Sequence, residues 1–351
     1  MTLPKTAFPL LLVGSVPLEN AEAVFSSVAR LFNGRISRFP DGETGTRSTW
    51  IAWQRKVFEA VAELTPMAER ERAYQLYPPF TLRDGARGED VRFGDLGFAR
   101  EALQSYALFR AKKTGGDMER GARFQVALPT AWAPVYSFIA HRWQSTVHQA
   151  YETALLGELA TIAAAIPRDE LCIQWDVATE MSWWEGVYPA PFGNPERRNV
   201  EREIIASITR LLDAAPQGVE LGVHLCYGSM NNKHWKDPVD TANLVAVANA
   251  LAAATRRGID YLHLPVPISR DDDAYFAPLA GLKQEAFREL YLGLLHAEDG
   301  VAGALRRIGR AQGYAPRFGL ACECGLGRYT ADAVPGLLSL HVEAARAAGQ
   351  D

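Results

Sequence analysis

The feature that most constrains this chain is a series of eight short apolar runs, each closing on Gly, Pro or a polar residue and separated by helix-length stretches. The runs are Pro9–Gly14, Arg35–Pro40, Phe124–Leu128, Leu171–Asp176, Leu221–Cys226, Tyr261–Val266, Tyr291–His296 and Phe318–Cys324. Between them, Thr146–Ala165, Val200–Ala214, Ala242–Arg256 and Val301–Ala311 carry apolar residues at three- and four-residue spacing and read as helices. Strands that alternate with helices pair in parallel through right-handed crossovers, and eight such units close into a barrel. An open doubly wound sheet fits less well, because the first strand turn, Gly14-Ser15-Val16-Pro17, lacks a Gly-x-Gly-x-x-Gly phosphate cradle. The expected fold is therefore α/β, a single-domain (β/α)8 TIM barrel spanning residues 1–351. Residues 55–121 are too many for one crossover, and are expected to form a helical insertion between the second and third strands, placed to act as a lid.

Composition narrows the partners. The chain is 48% hydrophobic, enough to bury a large core, and its net charge of −4 is spread over both signs without a basic stripe, so nucleic acid is not an expected partner. Met1–Leu12 shows neither a cleavage pattern nor a membrane-length apolar run, which leads to the expectation of a cytoplasmic protein without a membrane partner. Cys172, Cys226, Cys322 and Cys324 are too few for a disulfide framework. They must be core thiols, ligands or nucleophiles.

In a barrel of this kind the reactive side chains gather at the C-terminal ends of the strands. Those ends carry Ser15, Asp41, Glu43, Asp176, His224, Cys226, His263, His296, Glu323 and Cys324. His224 and Cys226 stand two apart on a strand, so both point to one face, as two ligands of one metal must. Cys322 and Cys324 repeat that spacing on the last strand. Thiolate and imidazole together suit zinc better than magnesium or calcium. A buried strand cysteine can also be a small core hydrophobe, but three of the four cysteines cluster at two strand ends. Asp176 can serve a cavity or cap a helix, Glu43 lies in a polar glycine-rich turn, and Trp183 and Trp184 can wall a pocket for a flat ring.

Taken together, the strand ends resemble the C-terminal catalytic barrel of cobalamin-independent methionine synthase, in the superfamily that includes uroporphyrinogen decarboxylase. Val13-Gly14-Ser15-Val16-Pro17 is similar to that family's Ile-Gly-Ser-Phe-Pro, and Asp41-Gly42-Glu43 to its His-Gly-Glu. Ile173-Gln174-Trp175-Asp176 resembles Ile-Gln-Ile-Asp, His224-Leu225-Cys226-Tyr227 resembles His-Met-Cys-Tyr, and Cys324-Gly325-Leu326 resembles Cys-Gly-Leu. The resemblance implies that Gly14, Ser15, Glu43 and Asp176 bind substrate, and that His224, Cys226 and Cys324 bind zinc. His296 falls where the family has its catalytic acid. The family's zinc-ligating glutamate falls at Pro265, which has no ligand to offer, leaving His263 or Cys322 as candidates for a fourth position. The family's second, N-terminal barrel is not expected in a chain of this length.

The implied activity is zinc-dependent methyl or alkyl transfer to a small-molecule thiol from a small alkyl donor, with a methyl-folate as the donor the family uses, in a methyltransferase other than methionine synthase itself. A metal-free decarboxylase or lyase of the uroporphyrinogen decarboxylase type, gripping substrate carboxylates through Arg35, Arg38 and Arg47, is the alternative. A non-catalytic small-molecule-binding barrel is another.

Overall fold

The structure is a computed structural model that describes residues 8–72, 75–228 and 233–349. Seven parallel strands form one curled sheet: β1 (Arg38–Pro40), β4 (Arg123–Pro129), β5 (Leu171–Val177), β6 (Glu220–Leu225), β7 (Ile259–Pro265), β8 (Phe287–Leu295) and β9 (Gly319–Cys322), paired in that order. A separate antiparallel hairpin, β2 (Leu64–Pro66) and β3 (Phe80–Leu82), lies outside the sheet. Seven of the eight expected runs are strands, with ends shifted by up to four residues. The first run, Pro9–Gly14, is extended chain that forms no continuous ladder. It bridges Leu10 to Leu320 on β9, while Ser15 bridges Gly42 just past β1. Backbone hydrogen bonds from Leu11 N to Leu320 O (3.0 Å) and from Val16 N to Gly42 O (2.8 Å) fasten it on both sides. That segment is the eighth stave, and it closes the barrel.

The helices follow the periodic stretches: Gln144–Ala165, Arg197–Ala214, Ala242–Ala254 and Gly300–Gln312. Each covers the sheet with its apolar stripe, as Ile204, Ile208, Leu211 and Leu212 do on the second of them. Residues 55–121 are less helical than expected. They contain the short helix Arg55–Glu59, the β2–β3 hairpin, and the helix Phe98–Gly115, which packs between Ala21–Phe32 and Gln144–Ala165 in the outer layer.

Inside the barrel, alternation along each strand stacks polar and aromatic side chains in layers. At the N-terminal end the Arg38 guanidinium lies 4.4 Å from the Tyr261 ring centre, pairs with Glu220 and Glu289, and donates to the Tyr291 hydroxyl at 2.9 Å. One layer up, register aligns Asp176 on β5 with His224 on β6, and His224 with His263 on β7. Tight backbone approach sets the far wall, since a methyl group at Gly293 would sit 2.6 Å from Glu323 Cα. Gly293→Ala is therefore expected to cost about 1–3 kcal/mol, read as a lower urea midpoint. A midpoint equal to the parent's would show that the β8–β9 contact yields freely.

Candidate functional site

Three loops meet above the C-terminal ends of the strands. Glycine makes their contact possible: a side chain on Gly325 would stand 3.1 Å from Ser15 N and Oγ, and Leu326 N donates to Ser15 O at 2.7 Å. Gly42, at φ +80°, lets the turn after β1 fold under Val16, where a Cβ would stand 2.9 Å from the Val16 carbonyl. The Asp-Gly-Glu and Cys-Gly-Leu motifs thus each touch the Gly-Ser segment. They enclose a cavity of about 420 Å³ lined in part by Gly14, Ser15, Glu43, Asp176, His224, Cys226 and Cys324.

The metal-ligand candidates converge. Cys324 Sγ lies 3.7 Å from Cys226 Sγ and 3.7 Å from His224 Nε2, and the ligand atoms of the three residues lie within 4.8 Å of one another. Sulfurs 2.3 Å from one ion at a tetrahedral angle stand about 3.8 Å apart. That spacing is also far too long for a disulfide, and all four cysteines are free. The three groups share protons in a way that favours a cation. Hydrogen bonds from Cys226 and then from His224 hold the Cys324 thiol well below its ordinary range, burial opposing them. The Cys226 thiol is held well above its range, first by Cys324 and then by burial. Burial pulls His224 down, but its bond to Cys324 and the charges of Cys324 and Asp176 prevail and raise it. A thiolate facing an imidazole is a donor set that fits zinc.

The two candidates for a fourth ligand do not join this group. His263 is fully buried, with Nδ1 2.7 Å from His224 Nδ1 and Nε2 3.1 Å from the Cys322 carbonyl, so neither nitrogen faces the thiols. Cys322 belongs to the hydrophobic core. The strand ends at Cys322, and the chain bends before Cys324, so the two-residue spacing no longer means a shared face.

The substrate-binding candidates line the cavity together. Ser15 Oγ bonds the Glu43 carboxylate, and Asp176 accepts from Gln174 Nε2 at 2.8 Å and from Trp50 Nε1 at 3.3 Å. Burial, followed by the charge of Asp176, pushes Glu43 up to about 8. Burial also pushes Asp176 up to about 6, against the pull of His224, Gln174 and Trp50. Asp41 turns away, held by Arg47 at 2.6 Å and by Ser105 at 2.7 Å. Glu43 and Trp50 both sit at φ +50°, a conformation costing a non-glycine residue about 1–3 kcal/mol. Among the described residues the one other non-glycine positive φ is at Asn33, a helix C-cap. Backbone strain is thus concentrated on the cavity wall.

His296 is not among the cavity's lining residues. It is buried, its Nε2 lies 2.8 Å from the Val266 carbonyl, and burial lowers its pKa. Trp183 and Trp184 do not line this cavity either: Trp183 packs edge-on against Trp132, Tyr136 and Phe192, and Trp184 donates to Asn243 and borders a separate open cleft beside Arg198 and Arg202. Trp50, Trp235, Tyr136 and Tyr188 supply the aromatic wall instead, and Arg328 stands beside the thiols. Sequence gave no sign of Trp50, whose place depends on an irregular turn. Arg328 lies four residues beyond Cys324 and was within reach of the motif reading.

Among known proteins, the barrel is that of vitamin-B12-independent methionine synthase structures. A B12-independent methionine synthase from Shewanella sp. W3-18-1, in complex with selenomethionine, superposes with a TM-score of 0.60 at 14% identity, covering 98% of each chain. A Listeria monocytogenes protein assigned as a vitamin-B12-independent methionine synthase gives 0.55 at 15% identity, covering 93% of this chain and 86% of its own. A methyltransferase from Methanosarcina mazei gives 0.49 at 12% identity, covering 97% of this chain and 95% of its own. No protein-family model and no curated sequence matches the chain. At such identities the likeness shows the (β/α)8 fold. No helix among the described residues is long and apolar enough to cross a membrane.

The raised Glu43 has a consequence for stability. An acid held above its ordinary 4.5 binds more protons folded than unfolded, so stability falls as pH rises from about 4.5 through about 8. Glu43→Gln removes that titration and is expected to exceed the parent's stability by roughly 2 kcal/mol at about pH 8.5, the gain shrinking toward about pH 5. Urea unfolding at the two pH values tests it. A gain independent of pH would mean that Glu43 titrates as an ordinary carboxyl.

Proposed function

We propose that the chain is a zinc-dependent methyl- or alkyltransferase acting on a small thiol, methionine synthase-like but distinct from methionine synthase. The observation that carries the reading is the convergence of His224 Nε2, Cys226 Sγ and Cys324 Sγ on one wall of the cavity that Ser15, Glu43 and Asp176 also line. When bound by these three ligands, zinc supplies a thiol acceptor as thiolate at neutral pH. The Shewanella protein's selenomethionine is a selenoether, the selenium counterpart of the thioether that methylation of an amino-acid thiol yields.

The chain's own residues divide the remaining work. Asp176, fixed as an acceptor by Gln174 and Trp50, orients the polar end of the acceptor thiol together with Ser15. Trp50, Trp235, Tyr136 and Tyr188 line the cavity where a planar donor would pack, for which a methyl-folate is the choice. As the methyl carbon passes to the acceptor sulfur, the donor atom that loses it takes a proton. His296 is turned to Val266, so that proton comes from Glu43, the cavity carboxyl that keeps its proton at neutral pH.

The decarboxylase alternative loses its grip. Arg38 is committed to Glu220 and Glu289, Arg47 to Asp41, and none of Arg35, Arg38 and Arg47 lines the cavity.

Purified protein is expected to carry about one equivalent of zinc, and Cys226→Ser or Cys324→Ser to lose it with the fold retained. Incubation with a panel of thiols and a methylated pterin is expected to give a thioether detectable by mass spectrometry, in the wild type only. A folded wild-type protein without zinc affinity, or serine variants that alkylate thiols at the wild-type rate, would overturn the reading.

A further inference from the structure

His224 and His263 are register partners on β6 and β7, with ring centres 4.7 Å apart and Nδ1 atoms 2.7 Å apart. Two ring nitrogens at that distance share one proton: two would collide, and none would leave lone pairs opposed. Which ring owns it follows from the far side of His263. Its Nε2 lies 3.1 Å from the Cys322 carbonyl, which can only accept, so Nε2 carries hydrogen. A second hydrogen on Nδ1 would make His263 a cation in a fully buried position, where its hydrogen-bond partners among the described residues are His224 and a carbonyl. An unpaired buried charge of that kind is costly. His263 Nδ1 is therefore bare, and the shared proton sits on His224 Nδ1.

We infer that His263 is the positioning residue of the metal centre, keeping hydrogen on His224 Nδ1 and holding the ring in the rotation that turns Nε2, the nitrogen left for a metal, toward Cys226 and Cys324. This inference rests on the zinc reading. It also gives β7 a part in the site: its Pro265 has no ligand atom, but its His263 acts through His224 and ties β6 to the carbonyl of Cys322, two residues before Cys324. Ligating histidines commonly donate their other nitrogen to a carboxylate or carbonyl. A neutral imidazole acceptor draws less on that proton than a carboxylate does, so His224 remains a weaker electron donor while still held in place.

The test uses the full chain and two variants. His263→Leu keeps bulk without an acceptor, whereas His263→Gln restores a carbonyl oxygen for His224 and an amide N–H for Cys322. In metal-free protein labelled with ¹⁵N-histidine, long-range ¹H–¹⁵N spectra are expected to show His263 with hydrogen on Nε2 alone and His224 with hydrogen on Nδ1. Chelator competition is expected to show zinc bound about 10–100-fold more weakly by His263→Leu, with most of the loss recovered by His263→Gln. Hydrogen on His263 Nδ1, or zinc affinity equal to wild type in His263→Leu, would overturn the inference. If the leucine variant does not fold, the wild-type spectra and the glutamine variant's affinity decide. Wild-type protein that binds no zinc overturns the zinc reading; zinc affinity indifferent to residue 263 overturns this inference alone.

Discussion

The closure of the barrel by residues 9–16 is the constraint on which the site depends. This segment is joined to β9 through Leu11 and to the turn after β1 through Val16, so Ser15 is carried between Glu43 on one side and Gly325 on the other. Remove the closure and the cavity loses a wall. A ladder of full strand length would bind the segment more firmly, but it would also extend hydrogen bonding through Gly14 and Ser15, where the chain must instead bend into the cavity. The weak stave is the form that puts a substrate-facing hydroxyl at the seam.

The cavity concentrates groups that folding alone would avoid burying. Asp176, Cys226 and His224 line it buried, Glu43 and Cys324 line it partly buried, and two residues of the wall hold strained backbone. Hydrogen bonds offset part of this. Gln174 is central, donating to both Asp176 and the Val13 carbonyl while accepting from the Tyr261 hydroxyl. Its amide links the lower aromatic layer of the barrel to the cavity floor, so the rigidity of the Arg38–Tyr261–Tyr291 cluster is passed upward to Asp176.

Much of the fold was legible because burial on both faces of a parallel sheet writes strands as continuous apolar runs. The approach of His224 to Cys226 was legible for a related reason: they stand near and just beyond the end of β6, where alternation still holds. The same rule failed three strands further round the sheet, since β9 ends at Cys322 and a bend re-aims Cys324. Glu43 and Asp176 could be placed from motif and strand end, but His296 could not, because a neighbouring carbonyl decides where its ring points. Trp50 owes its position to a positive φ in a loop of short turns, and no local pattern encodes that. Residues 55–121 hold helical segments on either side of a hairpin, and the longer helix packs in the barrel's outer layer.

The partners of the two cavity carboxyls differ in chemical character. Asp176 is met by the amide N–H of Gln174 and the indole N–H of Trp50, groups that donate and cannot accept, so neither can take a hydrogen bond from a protonated Asp176. Glu43 is met by a serine hydroxyl, which donates to a carboxylate and, by turning about its C–O bond, accepts from a carboxylic acid. The Ser15–Glu43 contact therefore survives in either state of charge. One carboxyl has partners that favour its charged form, while its neighbour can gain or lose a proton without moving a heavy atom.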